Sequence, residues 1–148
     1  MTMKKPTQSY NAYRRTNVQT SDQLSLIIML YDGCIRFSKK SIAKMDQGDV
    51  EGAHIYNGRA KDIVMELLAT LKVQDGGEIS QNLQNLYNYC FQSLVEANLR
   101  KDRTKIEDVI KVLNNLRSGW IAVREERSAN KRDQGMQGDQ PRKLNVHG

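Results

Sequence analysis

From Pro6 to Pro141 the chain contains no proline, so nothing over that distance locks φ and removes a backbone donor. Leu, Lys, Gln and Asn are abundant, and β-branched residues never run in alternation, which favours helices over strands. The reading is all-α. Turn signals at Gln47-Gly48 and Gly76-Gly77 and a polar joint at Asp102 divide the chain into four helical segments of about 24 residues each, joined by short links. Short links make sequential helices antiparallel, which predicts an up-down-up-down four-helix bundle.

The first of these segments, residues 20–45, is the most apolar. Thr20 with Gln23 fits a capping box, and Ser21 could cap as well. Leu24, Ile27, Ile28, Tyr31, Cys34, Ile35, Ile42 and Met45 then fall on one helical face. Beside that face runs a second stripe, Leu26, Leu30 and Phe37, with Gly33 in line. Together they make the helix apolar over roughly 200°, where a surface helix needs a stripe somewhat over 100° wide. Such a helix is either central in its own fold or has a flank that awaits a partner.

The second helix is expected to start at Asp49 as N-cap, with Ala53, Tyr56, Ala60, Ile63, Val64, Leu67, Leu68 and Leu71 facing the core, and to stop before Gly76-Gly77. The third, from about Glu78 to Lys101, buries Ile79, Leu83, Leu86, Tyr87, Cys90, Leu94 and Ala97. Phe91, Val95 and Leu99 form a separate line on it, the second apolar excess in the chain. The fourth is capped by Asp102 or by Thr104, the latter completing a capping box with Glu107. It turns Ile106, Val109, Ile110, Leu113, Leu116 and Trp120 inward and is expected to fray near Arg127. Arg117 shares the inward face and needs a carboxylate or carbonyl partner.

These boundaries give a mobile N-terminal arm over residues 1–19, a four-helix bundle over 20–127 and a disordered polar tail over 128–148. The charge follows the same division. Of the net +6, residues 1–20 carry +4 and residues 128–148 carry +2, leaving 21–127 with 15 basic and 15 acidic residues. A nucleic-acid domain concentrates positive charge on a folded face, so nucleic acid is set aside as a partner. No apolar run is long enough to insert in a membrane, no signal peptide follows Lys4 and Lys5, and Cys34 and Cys90, both on apolar faces, suit a reduced cytoplasmic setting.

Catalysis finds no support in the residues. A bundle metal site needs inward Glu-x-x-His motifs from two helices, and the two histidines do not supply them: Glu51-x-x-His54 is a single such spacing with His54 on the polar face, and His147 lies in the tail. Gly76-Gly77 is not followed by the residues of a phosphate loop, and a core thiol such as Cys34 has no base. The expectation is a non-enzyme with no cofactor and no metal. What remains is the leftover apolar surface. Leu26, Leu30 and Phe37 on one helix and Phe91, Val95 and Leu99 on another could receive an amphipathic segment of another protein, or could bury against a second copy in a structural oligomer or adaptor. Tyr10 and Tyr13, in the arm, have little else to pack against than such a flank.

Several motifs occur together in a recognisable order. Leu30-Tyr31-Asp32-Gly33-Cys34-Ile35 resembles the L-Y-D-G-A/C-I core of the flagellin-specific export chaperones, the FliS family. Asp75-Gly76-Gly77-Glu78-Ile79-Ser80-Gln81-Asn82-Leu83 resembles the family's glycine turn and its entry to helix three. Leu86-Tyr87-Asn88-Tyr89, Ala97-Asn98 and the pair Arg117 and Trp120 resemble its L-Y-x-Y, A-N and R-x-x-W. The resemblance implies a cytoplasmic four-helix bundle without cofactor that binds the disordered C-terminal segment of flagellin, holds it back from polymerising and helps deliver it to the flagellar type III export gate. It further implies that Tyr10 and Tyr13 lie in a leader able to cover part of the binding surface. A co-chaperone sharing that surface, and a monomer or weak homodimer as the free state, are left open.

Overall fold

The structure, a computed structural model, describes residues 23–72 and 77–142. Thr20 and Ser21, and the leader tyrosines Tyr10 and Tyr13, lie outside the described residues. Four helices follow one another: α1 over Gln23–Asp46, α2 over Val50–Lys72, α3 over Glu78–Arg100 and α4 over Arg103–Arg142. On every seam residue numbers rise along one helix as they fall along its neighbour. Ser41 Oγ donates to the Ala53 carbonyl at 2.8 Å, and Phe37 stacks on Tyr56. Asn57 Nδ2 donates to the Leu94 carbonyl at 3.0 Å, and Asn98 meets His54 at 2.8 Å. Lys105 pairs with Glu96 at 3.1 Å, and Arg124 donates to Ser25 at 3.2 Å. The bundle is therefore antiparallel throughout, with the helices in chain order around a square and α1 diagonal to α3.

The turns show why the chain reverses where it does. Gly48 has φ +77, a conformation open to glycine at little cost. Asp49 Oδ1 then accepts the Gly52 N–H at 2.9 Å, the N-cap expected for α2. Gly77, with φ +120, leads into α3. At the α3–α4 corner Lys101 takes a left-handed conformation, and the Asp102 N–H reaches back to the Ala97 carbonyl at 3.1 Å. Asp102 in turn caps α4, its Oδ1 accepting from the Thr104 amide at 3.0 Å and the Thr104 hydroxyl at 2.5 Å. Those two bonds hold its carboxyl below the usual carboxylate range. Of the two expected caps Asp102 takes the role, and Glu107 pairs with Arg103 at 3.2 Å.

Three expectations are corrected. Leu26 and Leu30 are not left over. They are 3% and 2% exposed and belong to the core. The reason lies in small residues. α1 brings Cys34, Ser38 and Ser41 to α2, which answers with Ala53 and Ala60, and this is the most extensive helix contact in the bundle. Close approach carries α2 over the flank of α1, so the stripe that looked surplus is covered. Ile79, expected inside, is 72% exposed, because it sits in the first turn of α3 below the buried ring that begins at Leu83. Finally, α4 does not end near Arg127 but continues to Arg142. Between Trp120 and Gly135 the chain offers Glu, Arg, Ala, Lys and Gln, good helix formers with no breaker among them.

Candidate functional site

Six large hydrophobic side chains are exposed among the described residues: Val50, Ile55 and Met65 on α2, and Ile79, Tyr89 and Leu99 on α3. α1 contributes none, and neither does α4 over residues 103–133. Unspent apolar surface thus concentrates on two adjacent helices. The line Phe91, Val95, Leu99 runs through this region, with Phe91 and Val95 half-buried and Leu99 76% exposed. The third excess residue of α1, Phe37, is half-buried and stacked on Tyr56, with ring centroids 6.1 Å apart. Of the six predicted contact residues, then, Leu26 and Leu30 are core, Phe37 belongs to the α1–α2 seam, Phe91 is half-buried and packs against the core, Val95 is half-buried, and Leu99 stays on the outside of α3.

The Asn98–His54 contact sets the level of the α2–α3 seam. Phe91 lies seven residues before Asn98, on the same stripe of α3, and Val95 and Leu99 lie farther out. On α2, Gly58 follows His54 by one turn and Met65 by about three. The antiparallel run brings Gly58 level with Val95. A Cβ placed on Gly58 would meet nothing within 4 Å, so the side of α2 facing this apolar line has an open notch in it. Under the notch, the Asn57 side chain is fully buried and holds α2 to the α3 backbone through its bond to Leu94. The flank is a shallow apolar strip on a firmly held pair of helices.

The core beneath is held by polar links that the apolar pattern concealed. The Tyr31 and Tyr87 hydroxyls lie 2.7 Å apart, and Trp120 Nε1 donates to Tyr31 at 2.8 Å. Burial pushes Tyr31 up to about 12 and Tyr87 higher still. Burial likewise pushes both thiols, Cys34 and Cys90, up to about 12, which leaves them protonated and unreactive at neutral pH. Arg117, which needed a carboxylate or carbonyl partner, finds it in Asp32 of α1. The ion pair sits at the α1–α4 edge with both side chains more than a third exposed. No group of three or more metal-ligating side chains comes together among the described residues, and no described helix is long and apolar enough to cross a membrane.

Comparison with known proteins agrees on one likeness. The sequence model of a family described as "Flagellar protein FliS" matches residues 6–127. A flagellar secretion chaperone FliS from Vibrio cholerae is 31% identical over 121 residues, covering 78% of this chain and 88% of that protein. One from Campylobacter jejuni is 33% identical over 115 residues, with 78% and 90% covered. One from Salmonella typhimurium is 35% identical over 107 residues, with 72% and 79% covered. All of α1 to α3 falls within the family match, and the part of α4 beyond residue 127 falls outside it.

Proposed function

The chain belongs to the FliS family of flagellar proteins, and from that premise we propose that it is a cytoplasmic flagellar secretion chaperone. In this reading it binds the disordered C-terminal segment of flagellin, keeps it from polymerising early and hands it to the export gate. It acts by binding alone. A protein that binds the unassembled client shifts assembly by mass action, without a nucleotide.

The observation that carries the reading is that, among the described residues, the exposed large apolar side chains fall on α2 and α3. A polymerising segment presents apolar positions to its next subunit, and a chaperone must offer those positions an alternative surface. Phe91, Val95 and Leu99 supply one, spaced four residues apart along a helix as a docked helix requires. Tyr10 and Tyr13 take the part of a leader that competes for this surface in the free protein. Ordering a disordered client costs about 2–5 kcal/mol or more, so the contact has to be broad.

Calorimetric titration with a synthetic flagellin C-terminal segment tests the proposal. The expected result is binding with a large negative ΔCp, the mark of apolar burial. Leu99→Asp and Val95→Asp should each weaken binding at least about tenfold, since a buried aliphatic contact is worth about 1.5–3 kcal/mol. The melting temperature of Leu99→Asp should be unchanged, as that side chain is exposed. Wild-type affinity in both variants, or a ΔCp near zero, overturns the proposal.

A further inference from the structure

On the opposite side of α2 from the notch, the seam with α1 carries a different kind of surface. Phe37 and Tyr56 stack there with their planes 21° apart. Three cations gather on the pair. Arg36 lies over Phe37 at 5.1 Å, Lys40 over Tyr56 at 5.5 Å, and Arg59 over both rings at 5.8 Å. All three are exposed. Four other cations of the bundle are paired with carboxylates: Lys44 with Asp49, Arg103 with Asp46 and Glu107, Lys105 with Glu96, and Arg117 with Asp32. Here, among the described residues, no carboxylate is ion-paired with Arg36, Lys40 or Arg59. Three like charges held together cost energy through mutual repulsion. They are crowded onto one patch of a segment whose formal charge is zero.

We propose that this patch is a second docking site, for an acidic segment of a partner protein other than the client. The chemistry selects that occupant. A cation resting on a ring is held in place and keeps its N–H donors for a carboxylate, which it engages through charge-assisted hydrogen bonds. Single-stranded nucleic acid would need open ring faces for base stacking, and these faces are covered by the protein's own cations. It would also need a broad positive field, which a neutral bundle lacks. An anionic membrane calls for a longer basic tract or for an apolar side chain that projects into the lipid. Phe37 and Tyr56 are half-buried and project little. Because Arg59 and Gly58 point to different flanks of α2, an acidic partner here and a client on α3 can be held at once.

The test is fluorescence anisotropy on the full chain at low salt with labelled poly-Glu peptide, with phosphatidylserine vesicles and single-stranded poly-U RNA as parallel arms. Poly-Glu should bind, and the triple variant Arg36→Gln/Lys40→Gln/Arg59→Gln should lose at least about tenfold in affinity, as three surface ion pairs allow. Charge reversal at the same positions should lose more. Both variants should keep wild-type circular dichroism and wild-type affinity for the flagellin segment, whereas Leu99→Asp should keep wild-type affinity for poly-Glu. Unchanged poly-Glu binding in the triple variant, binding only of vesicles or RNA, or equal loss of flagellin and poly-Glu overturns the proposal. A failure of the flagellin arm alone would bear on the client site and leave this one standing.

Discussion

The Tyr31 hydroxyl lies 2.7 Å from the Tyr87 hydroxyl, across the diagonal of a bundle in which α1 and α3 are not neighbours. Two rings reaching in from opposite corners fill the central space, edge to face with centroids 6.3 Å apart. At full burial each hydroxyl needs a partner. They serve one another, and Trp120 adds an N–H from α4. One node thus joins three of the four helices and distinguishes this arrangement of the helices from its alternatives.

Tyr87→Phe should therefore cost about 0.5–1.5 kcal/mol in urea denaturation, the worth of one buried hydrogen bond. Trp120→Phe should cost more, because it removes packing as well as a donor. In the double variant the two losses should sum to less than additivity predicts, by 0.5 kcal/mol or more in order of magnitude, as expected for members of one network. Strict additivity would mean that the three groups act separately.

Stability should be level through neutral pH and fall above about pH 9. Cys34 and Cys90 are raised from 9.0 to about 12, Tyr31 from 10.0 to about 12, and Tyr87 beyond that. Above pH 9 the unfolded chain begins to release these protons while the folded chain retains them. The native state then binds more protons than the unfolded state, so the free energy of unfolding drops as pH rises. Each group can contribute a slope of up to about 1.4 kcal/mol per pH unit. Urea midpoints from pH 7 to 11 would show it, and Tyr87→Phe should flatten the upper part of the decline.

Lys101 holds φ 56 and ψ 42 at the end of α3, where a side chain costs about 1–2 kcal/mol and glycine costs none. Part of that gain is returned as lost backbone freedom in the unfolded glycine. Lys101→Gly should still stabilise the fold by about 0.5–1 kcal/mol. A lower thermal midpoint would show that the Lys101 side chain makes a compensating contribution.

Periodicity made the four helices and most of the core legible, because the 3.6-residue repeat and its breakers are local properties. What it could not supply depends on how closely two helices approach. Leu26 and Leu30 carry the same signal as Phe91 and Leu99, yet α2 covers the first pair and nothing described covers Leu99. The small residues Cys34, Ser41, Ala53 and Ala60 held that information, read as a pair of faces rather than one at a time. Asp32 could not be matched to Arg117 from the sequence, because the two are 85 residues apart. Asn57 gave no signal at all, since a buried amide is justified only by the Leu94 carbonyl it meets. The continuation of α4 past Arg127 gave no signal for a different reason, because a stretch polar all round shows no apolar face for periodicity to detect.

Gly58 offers the sharpest division between the needs of the fold and the needs of binding. A glycine inside a helix costs about 0.5–1 kcal/mol relative to alanine, and here a Cβ would touch nothing within 4 Å. Gly119 on α4 is in the same position, with nothing within 4 Å. Gly58→Ala and Gly119→Ala should therefore each raise stability by about 0.5–1 kcal/mol. Only Gly58 lies level with Val95 on the apolar flank, where a client helix crossing α2 would use the notch for close backbone approach. Gly58→Ala should then weaken flagellin binding while Gly119→Ala leaves it as it was, and Gly58→Leu should weaken it further. If both alanine variants melt higher and bind equally well, the client does not lie over the notch. Its contacts would then have to be sought on the outer side of Leu99.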